Sequence, residues 1–282
     1  MSWGSSARAG IPLRIGPLRL TLRQNGSVLE QTPITSSANP KLKALRALLR
    51  GGSHGPKGRY AAEGMQLLTR ALQAKVPLDY VVVSGGPEAL PADVSDLLAA
   101  AGVQVYSVSA ELFAKVSRRN KPLGVAFCGR APQAQLSNLD AALPVLALDR
   151  AGNPRNIGAI ARTCEAAGLG GLLLVGAHAD PYSYESIRAS MGSVFGVPIV
   201  ECSPEELVDW AGQSGRTLIG TSGAARRTLW QTDIPALSVL LFGNEGEGLP
   251  EHLLDACDQV LKIPFNPAVE SLNLAAAAAV VA

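Results

Sequence analysis

The second half of the chain alternates between short apolar runs and longer amphipathic runs, and this alternation restricts the possible folds most strongly. The apolar runs are continuous: "VLALD", "GLLLVG", "TLIGT", "SVLLFG" and "QVLKIP". Strands that are apolar on both faces are typical of parallel sheets covered by helices on each side. The runs between them, such as "NIGAIARTCEAAG" and "PEELVDWAGQ", have the residue spacing of helices. The pattern therefore predicts an α/β domain with a mainly parallel sheet.

The first half repeats this alternation on a smaller scale. Asn39 and Pro40 are the residue types of a helix N-cap and a first helical residue, and leucines follow them at helical spacing. Strand-like runs such as "YVVVS" and "LGVAFC" come later. We expect a flexible basic tail over 1–33, a small α/β domain over 34–128, a linker rich in Pro, Gln, Ser and Asn over 129–143, and the larger α/β domain over 144–282.

Composition narrows the classes of function. No apolar run reaches the roughly 18 residues that are needed to cross a bilayer, so we expect no membrane segment. The four cysteines are scattered without a C-x-x-C pair, and the three histidines lie outside helical reach of one another and of the cysteines. We therefore expect no metal site, reduced cysteines and a cytoplasmic location.

Basic residues are concentrated in the first half, although the net charge of the chain is only +2. Up to residue 60 there are ten Lys and Arg residues against the single acid Glu30, and "KVSRRNK" at 115–121 forms a second basic cluster. This asymmetry is typical of a protein that binds a polyanion, and equally of a solvated basic face. Aromatic residues make up only 5% of the chain, which favours contacts to the backbone of RNA over stacking on its bases. The expected RNA contacts come from "PKLKALR", "HGPKGR" and "SRRNK", with Lys41, Lys43, Arg46, Arg59, Arg118 and Arg119 as candidate residues.

Three unusual stretches each follow a predicted strand of the larger domain. They are "DRAGNPRNIGAIAR", "FGNEGEGL" and "IPFNPAVESLN". Ligands of parallel α/β sheets bind beyond the carboxyl ends of the strands, which is where these stretches are expected to lie. Neither the G-x-G-x-x-G pattern nor the Walker pattern follows the first strand, and this disfavours dinucleotide oxidoreductases and P-loop hydrolases.

The stretches "NIGAIARTCEAAG", "LLFGNEGEGLP" and "IPFNPAVESLNLAAAAAV" resemble the three successive motifs of the SpoU–TrmH family, in the SPOUT class of RNA 2′-O-ribose methyltransferases. The resemblance covers the chain from about Val145 onward. "ITSSANPKLKALRALL" and "GRYAAEGMQLLTRAL" also resemble the substrate-binding domain of the two-domain ribosomal-RNA members, which is similar to an RNA-binding ribosomal protein. The resemblance implies a C-terminal trefoil knot, S-adenosylmethionine as cofactor, RNA as substrate and a homodimer. This sequence stops at Ala282, earlier than is usual in the family, so either the sequence is truncated or the dimer contact is reduced, and both dimerisation and stability stay open at this point.

The resemblance also implies roles for single residues. Gly243 is expected where the cofactor passes so close to the main chain that a Cβ would collide with it. Glu245 is expected to order its loop through main-chain N–H groups. The implied cofactor contacts are Gly243, Ile263, Leu272, Thr221, Asn244 and Pro264, and the implied catalytic residues are Arg162, Asn156, Ser271 and Asn273.

Arg162 is the main candidate for the chemistry. A guanidinium is essentially always protonated, so we expect it to stabilise the developing alkoxide and hold an RNA phosphate rather than act as the base. Asn156 is expected to orient this arginine or the ribose, and Ser271 to cap the last helix as well as serve the site. Weaker candidates for phosphate contacts are Arg150, Arg155 and Arg188.

The function that follows is S-adenosylmethionine-dependent 2′-O-ribose methylation of RNA, with large-subunit (23S-type) ribosomal RNA as the expected substrate. Two alternatives remain open from the sequence. One is a tRNA 2′-O-ribose methyltransferase, which the presence of the first domain disfavours. The other is a non-catalytic RNA-binding factor for ribosome assembly, which the presence of all the motif residues disfavours.

Overall fold

The computed structural model of the protein describes residues 31–51, 58–266, 268 and 271–282. Most of the predicted basic tail and the first four residues of "HGPKGR" therefore lie outside the described residues. Two sheets, one of five strands and one of seven, form two packed α/β units. The predicted α/β class is confirmed.

The first unit contains five strands in the spatial order β1-β4-β3-β5-β2, of which β1, β4 and β3 run parallel and β5 runs antiparallel to both of its neighbours. Its strands are β1 (Gln31–Pro33), β2 (Arg59–Glu63), β3 (Leu78–Ser84), β4 (Gln104–Val108) and β5 (Val125–Arg130). Its helices are α1 (Pro40–Leu49), α2 (Met65–Gln73), α3 (Ala92–Ala100) and α4 (Ala110–Val116).

The second unit contains seven strands in the order β10-β12-β9-β11-β6-β7-β8, and every pair of neighbours is parallel, as predicted. Its strands are β6 (Val145–Asp149), β7 (Leu172–Val175), β8 (Ile199–Cys202), β9 (Thr217–Thr221), β10 (Arg227–Thr228), β11 (Ser238–Phe242) and β12 (Gln259–Lys262). Its helices are α5 (Pro154–Ala167), α6 (Tyr184–Ala189), α7 (Pro204–Gln213), α8 (Glu251–Ala256) and α9 (Leu274–Val281). None of the helices in the described residues is long and apolar enough to cross a membrane.

The limits of the first unit differ from the expected 34–128. Residues 31–33, assigned to the tail, form β1, which pairs in parallel with β4 at the sheet edge. Pro33 is compatible with such an edge strand because a proline, which has no N–H to donate, does not interrupt the hydrogen bonds between two central strands. At the other end, β5 continues to Arg130 and pairs with β2, so the first two residues of the expected linker belong to the sheet.

Helix caps account for where the helices that matter to the site begin. The Asn39 side chain accepts a hydrogen bond from the Lys41 amide at 2.9 Å, which confirms the predicted N-cap of α1. The same chemistry starts α5, because the Asn153 side chain accepts from the Arg155 amide at 3.0 Å. Gly168, with φ +68°, ends α5 in the left-handed conformation that suits glycine.

The two units share one apolar core. Tyr60 and Phe127 of the first unit pack against Phe195 of the second, with ring centroids 5.1 Å and 6.5 Å apart. All three rings belong to a single cluster of buried residues that spans both units. On the surface above this core, Arg70 of α2 forms an ion pair with Glu165 of α5. The packing holds the two units in a fixed relation.

The sequence "LNLAAAAAVVA" predicts a last helix without a polar face, which should be buried, but helix α9 is only partly buried. Leu274, Ala278 and Val281 face the core, and the helix packs against α5. Val280 on the other side is 43% exposed. Within one chain, nothing among the described residues covers this apolar face.

Candidate functional site

A cleft lies at the carboxyl ends of β9, β11 and β12. Its volume is about 350 Å³, and three loops line it: 221–223 after β9, 243–249 after β11, and the segment from 263 to 272 after β12, of which Ile263, Phe265, Ser271 and Leu272 are lining residues. The second and third of the unusual stretches therefore meet at one place. This is the position that parallel sheets favour for ligands.

The loop after β11 requires glycine at position 243 for its own geometry. A Cβ on Gly243 would lie 2.1 Å from the carbonyl carbon of Gly248 and 2.2 Å from the nitrogen of Leu249. The loop closes on itself because Asn244 and Gly248 exchange both main-chain hydrogen bonds, at 3.2 and 2.9 Å. Gly248 has φ +71°, a conformation that side chains disfavour. A Cβ at position 243 would therefore collide with the main chain of the loop itself, whether or not the cofactor is bound.

Asn244 orders this loop, a role that was expected of Glu245. Its side-chain oxygen accepts hydrogen bonds from the amides of Gly246 and Glu247 at 2.9 and 3.2 Å. Its side-chain nitrogen donates to the carbonyl oxygen of Arg150 at 2.9 Å. The amide therefore ties the loop to the end of β6.

Asn156 joins all three motif stretches. Its side-chain nitrogen donates to Glu245 at 3.0 Å, and its side-chain oxygen accepts from the side-chain nitrogen of Asn273 at 3.1 Å. Asn156 itself is only 7% exposed, whereas its partners Glu245 and Asn273 lie at the surface. The members of this bridge lie on α5, on the loop after β11 and at the start of α9, and they do not include Arg162. A role of Asn156 in orienting the ribose stays a prediction.

Asn273, rather than Ser271, caps α9. The Asn273 side-chain oxygen accepts from the amides of Ala275 and Ala276 at 2.9 and 3.3 Å, while its nitrogen reaches Asn156. Ser271 is exposed and lines the cleft, as do Leu272 and Ile263. The prediction that Ser271 caps the last helix is wrong, because the cap lies two residues later. Its predicted role in the site stays a prediction.

Of the remaining predicted cofactor residues, one lines the cleft and one does not. Thr221 lines the cleft and donates its hydroxyl to the carbonyl oxygen of Leu241 at 3.1 Å, whereas the described lining does not include Pro264. Phe265, which the sequence analysis did not select, lines the cleft and is 38% exposed. The sequence signal that could have identified Phe265 is its position directly after the Ile-Pro pair of the third motif.

Arg162 lies apart from the cleft. It follows Asn156 by six residues on α5, which separates the two by about 9 Å along the helix axis. Its exposed side chain borders a different hollow, of about 250 Å³, together with Arg70, Glu165 and Met191. A single chain therefore does not bring Arg162 to the cleft that the other motif residues form.

The predicted RNA-binding residues of α1 lie on an exposed face. Lys43 and Arg46 line an open groove of about 550 Å³ together with Arg50 and with Lys115 of α4. Lys41 lies over the rings of Tyr80 and Tyr106, 5.0 Å from each centroid. This face is basic and open, as a polyanion-binding surface requires.

The other basic candidates are engaged in ion pairs or lie at the seam between the units. Arg59 forms an ion pair with Asp79, so its charge is largely compensated. Arg150 is similarly paired with Asp149 and Glu247, and it also donates to the carbonyl oxygen of Gly248 at 3.3 Å. Arg118 and Arg119 lie in a larger groove where the two units meet.

Groups that could support other chemistries show no activation. The four cysteines are free, and burial raises the pKa of the Cys128 thiol to about 11 and that of Cys164 to about 12. Among the residues that the structure describes, no group of three or more His, Cys, Asp or Glu side chains could hold a metal ion. The cleft after β11 is thus the site with the most organised chemistry.

Comparison with known proteins shows which family this chain belongs to. The model of the SpoU rRNA Methylase family matches residues 144–282, and that of the MRM3-like substrate binding domain matches residues 39–126. An uncharacterized tRNA/rRNA methyltransferase of Synechocystis sp. is 33% identical over 88% of this chain and 90% of its own length. The chain belongs to the SpoU rRNA methylase family. The resemblance predicted from the three motifs is confirmed.

Other members of the SpoU rRNA methylase family match over nearly their whole length. The 23S rRNA (guanosine(2553)-2′-O)-methyltransferase of Bacillus subtilis is 30% identical over 88% of this chain and 96% of its own. The crystal structure of an AdoMet-bound rRNA methyltransferase from Sinorhizobium meliloti superposes with a TM-score of 0.80 at 32% identity, covering 89% of this chain and 95% of that one. Both units of the present chain are therefore shared with these relatives.

Proposed function

We propose that this protein transfers a methyl group from S-adenosylmethionine to the 2′-oxygen of a ribose in large-subunit ribosomal RNA. The observation that carries the proposal is the cleft after β11, together with the hydrogen bonds of Asn156 that tie the three family motifs to one another. The names of the B. subtilis and S. meliloti relatives supply the reaction, the substrate class and the cofactor. A ribosomal RNA substrate also supports the expected cytoplasmic location.

The residues present fit the cofactor. A volume of about 350 Å³ lies within the range of about 300–1,000 Å³ that is usual for small-molecule sites. The main chain around Gly243 and the apolar side chains of Ile263 and Leu272 would hold it, with Thr221 and Asn244 at the rim and Pro264 as an outer contact. When bound, S-adenosylmethionine supplies an electrophilic methyl group on a sulfonium. The trefoil knot implied by the family belongs to the same proposal.

The ribose hydroxyl has to lose its proton as its oxygen bonds to the methyl carbon and the carbon–sulfur bond breaks. We assign stabilisation of the developing negative charge to Arg162, with an RNA phosphate or water taking the proton. Ser271 and Asn273, at the edge of the cleft, would position the ribose. Because one chain keeps Arg162 away from the cleft, this role requires the Arg162 of a second copy, so the catalytic proposal and the homodimer proposal stand together.

The exposed apolar face of α9 supports the homodimer. Val280 is 43% exposed on a helix that has no polar face, and its neighbours Ala276 and Ala279 are exposed as well. Such a face is stable in water when another apolar surface covers it. A second copy of the chain is the occupant that would also supply the missing arginine.

The reaction is tested with S-adenosylmethionine labelled in the methyl group. Unmodified 23S ribosomal RNA and unmodified tRNA are offered separately, and the product is hydrolysed in alkali, where a methylated 2′-oxygen leaves a resistant dinucleotide. We expect label in a resistant dinucleotide from ribosomal RNA. Label from tRNA alone would overturn the substrate, and cofactor binding without transfer to either RNA, or to isolated ribosomal subunits, would favour a non-catalytic assembly factor.

A further inference from the structure

We propose that the groove at the seam between the two units binds consecutive phosphates of the substrate RNA, with Arg155 and Arg188 as positioning residues and Glu185 as a carboxylate that the RNA displaces. We define this seam groove by its charged lining, to which the first unit contributes Arg118, Arg119 and Lys121 and the second Arg155, Arg188 and Glu185. The inference rests on the proposed function and specifies where the RNA backbone lies.

The seam groove is large, open and strongly basic. Its volume is about 670 Å³, and its charged lining consists of five cationic side chains and one carboxylate. Four of the five cations are arginines, whose planar guanidinium groups match phosphate oxygens in a bidentate manner. A chain of phosphates is therefore a better chemical partner for this groove than a neutral or cationic surface.

Arg118 crosses the seam and is held there by the second unit. It forms an ion pair with Glu185 and stacks on the ring of Tyr184, with its guanidinium carbon 4.7 Å from the centroid. Burial raises the pKa of Glu185, but the hydrogen bond from Arg118 and the attraction of Arg118 and Arg155 outweigh it, so the pKa lies below its usual range. Glu185 is thus ionised and occupies the position beside Arg118 that a phosphate oxygen would take.

The seam groove and the cleft are linked through adjacent residues of α5. Arg155 is the residue before Asn156, and Asn156 holds both the loop after β11 and the start of α9. Helices α5 and α6 are in close contact, because a Cβ on Gly158 would lie 2.2 Å from the carbonyl oxygen of Ser186. A phosphate bound by Arg155 is therefore fixed relative to the cleft and determines which ribose can enter it.

The seam groove is also linked to the basic face of α1 through neighbouring residues. Helix α4 borders both, since Lys115 lines the groove at α1 and the segment that follows α4 carries Arg118 and Arg119. Arg118 additionally donates to the carbonyl oxygen of Leu49, the last residue of α1, at 3.2 Å. Basic residues of the first unit thus lie near both the seam groove and the basic face of α1.

The test uses substitutions that change charge in both directions. Binding of unmodified 23S ribosomal RNA to the full-length protein is measured between about 50 and 300 mM salt, over which the Debye length changes by a factor of about 2.4. Arg155→Gln and Arg188→Gln should each weaken binding and reduce the salt slope by about 0.7–0.9. Glu185→Gln should tighten binding, because it removes the competing carboxylate, and a gain of affinity cannot result from misfolding.

The control is Lys75→Gln, which removes an exposed positive charge at the end of α2, outside the described lining of the seam groove. It should leave the affinity and the salt slope unchanged, and all four variants should bind S-adenosylmethionine like the unmodified protein. Unchanged or weaker RNA binding by Glu185→Gln, or equal effects of Lys75→Gln and Arg155→Gln, would overturn the proposal.

The outcome also separates this inference from the proposed function. If the unmodified protein methylates ribosomal RNA and the groove variants behave like it, the seam groove is not the phosphate site and the reaction stands. If transfer to RNA is absent but binding follows the predicted pattern of charge, the groove binds RNA and the proposed reaction is wrong. An acidic peptide that competes more strongly than RNA would assign the groove to a protein partner and overturn the inference.

Discussion

The side chain of Asn156 connects segments that lie 89 and 117 residues away in sequence. Asn156→Ala should remove both hydrogen bonds and lower the free energy of unfolding by about 1–2 kcal/mol. Asn156→Asp keeps an acceptor for Asn273 but places a negative charge beside Glu245. We expect both variants to weaken binding of S-adenosylmethionine in calorimetric titration, because the loop after β11 loses its anchor. An aspartate variant that binds the cofactor normally would show that the Glu245 half of the bridge is dispensable.

Gly243 and Gly246 provide a matched pair of substitutions in the same loop. A Cβ at Gly243 would lie within 2.6 Å of three main-chain atoms, whereas at Gly246 its nearest neighbour is the side-chain oxygen of Asn244 at 3.6 Å. Gly243→Ala should lower the free energy of unfolding by about 3 kcal/mol, and Gly246→Ala by much less. Chemical denaturation without cofactor measures both. Equal stabilities would mean that the loop relaxes and that glycine at 243 serves the cofactor alone.

Sequence reasoning identified these residues but not their partners. The motif placed Gly243, Asn244 and Asn156 at a ligand site, and the structure brings them together. The loop-ordering role expected of Glu245 belongs to Asn244, and the capping role expected of Ser271 belongs to Asn273. Polar side chains of this kind can cap a helix, close a turn or bridge two segments with the same atoms. Only the spatial neighbours decide which of these it does.

At the scale of helices and strands, the contact between α5 and α6 depends on a glycine within a helix. Gly158→Ala gains about 1 kcal/mol of helix propensity but brings a methyl group to 2.2 Å from the carbonyl oxygen of Ser186. The steric term should win, so thermal unfolding should begin at a lower temperature and RNA affinity should fall. Gly212→Ala in α7, where a Cβ meets nothing within 4 Å, should instead be stabilising. Shifts of the same sign in both variants would contradict this account of the contact.

The strands in the middle of the large sheet could be predicted almost residue by residue, since β6 and β9 coincide with "VLALD" and "TLIGT". Strands β8 and β10 were not predicted. Both lie at the sheet edges, and β10 has only two residues, so each is defined by pairing with a neighbour rather than by an apolar run of its own. Helix α9 was expected to be buried because its composition provides no polar face. Composition does not show whether the same chain or another molecule covers such a helix, and this is why the expectation failed for the single chain.

At the scale of the whole molecule, the proposed exchange of Arg162 between copies can be tested with mixed dimers. Arg162→Ala and Leu272→Glu should each abolish methyl transfer on their own. A dimer with one chain of each kind, purified through two different tags, should recover about half of the wild-type activity if the arginine acts across the dimer, because one of the two symmetric sites is then intact. No recovery, or a protein that is monomeric while active, would place Arg162 in the site of its own chain.

The bridge through Asn156 also has a consequence in time. Protein chains are synthesised from the amino terminus at about 5–20 residues per second, so Asn156 is made roughly 6–23 s before Asn273, which follows it by 117 residues. The first unit and most of the large sheet can fold during this interval, but the cleft lacks one of its walls until α9 has been released. A nascent chain that already exposes its basic face to nearby RNA is therefore still unable to hold the methyl donor. The cleft therefore becomes complete only after Asn273 and the helix that follows it have been synthesised.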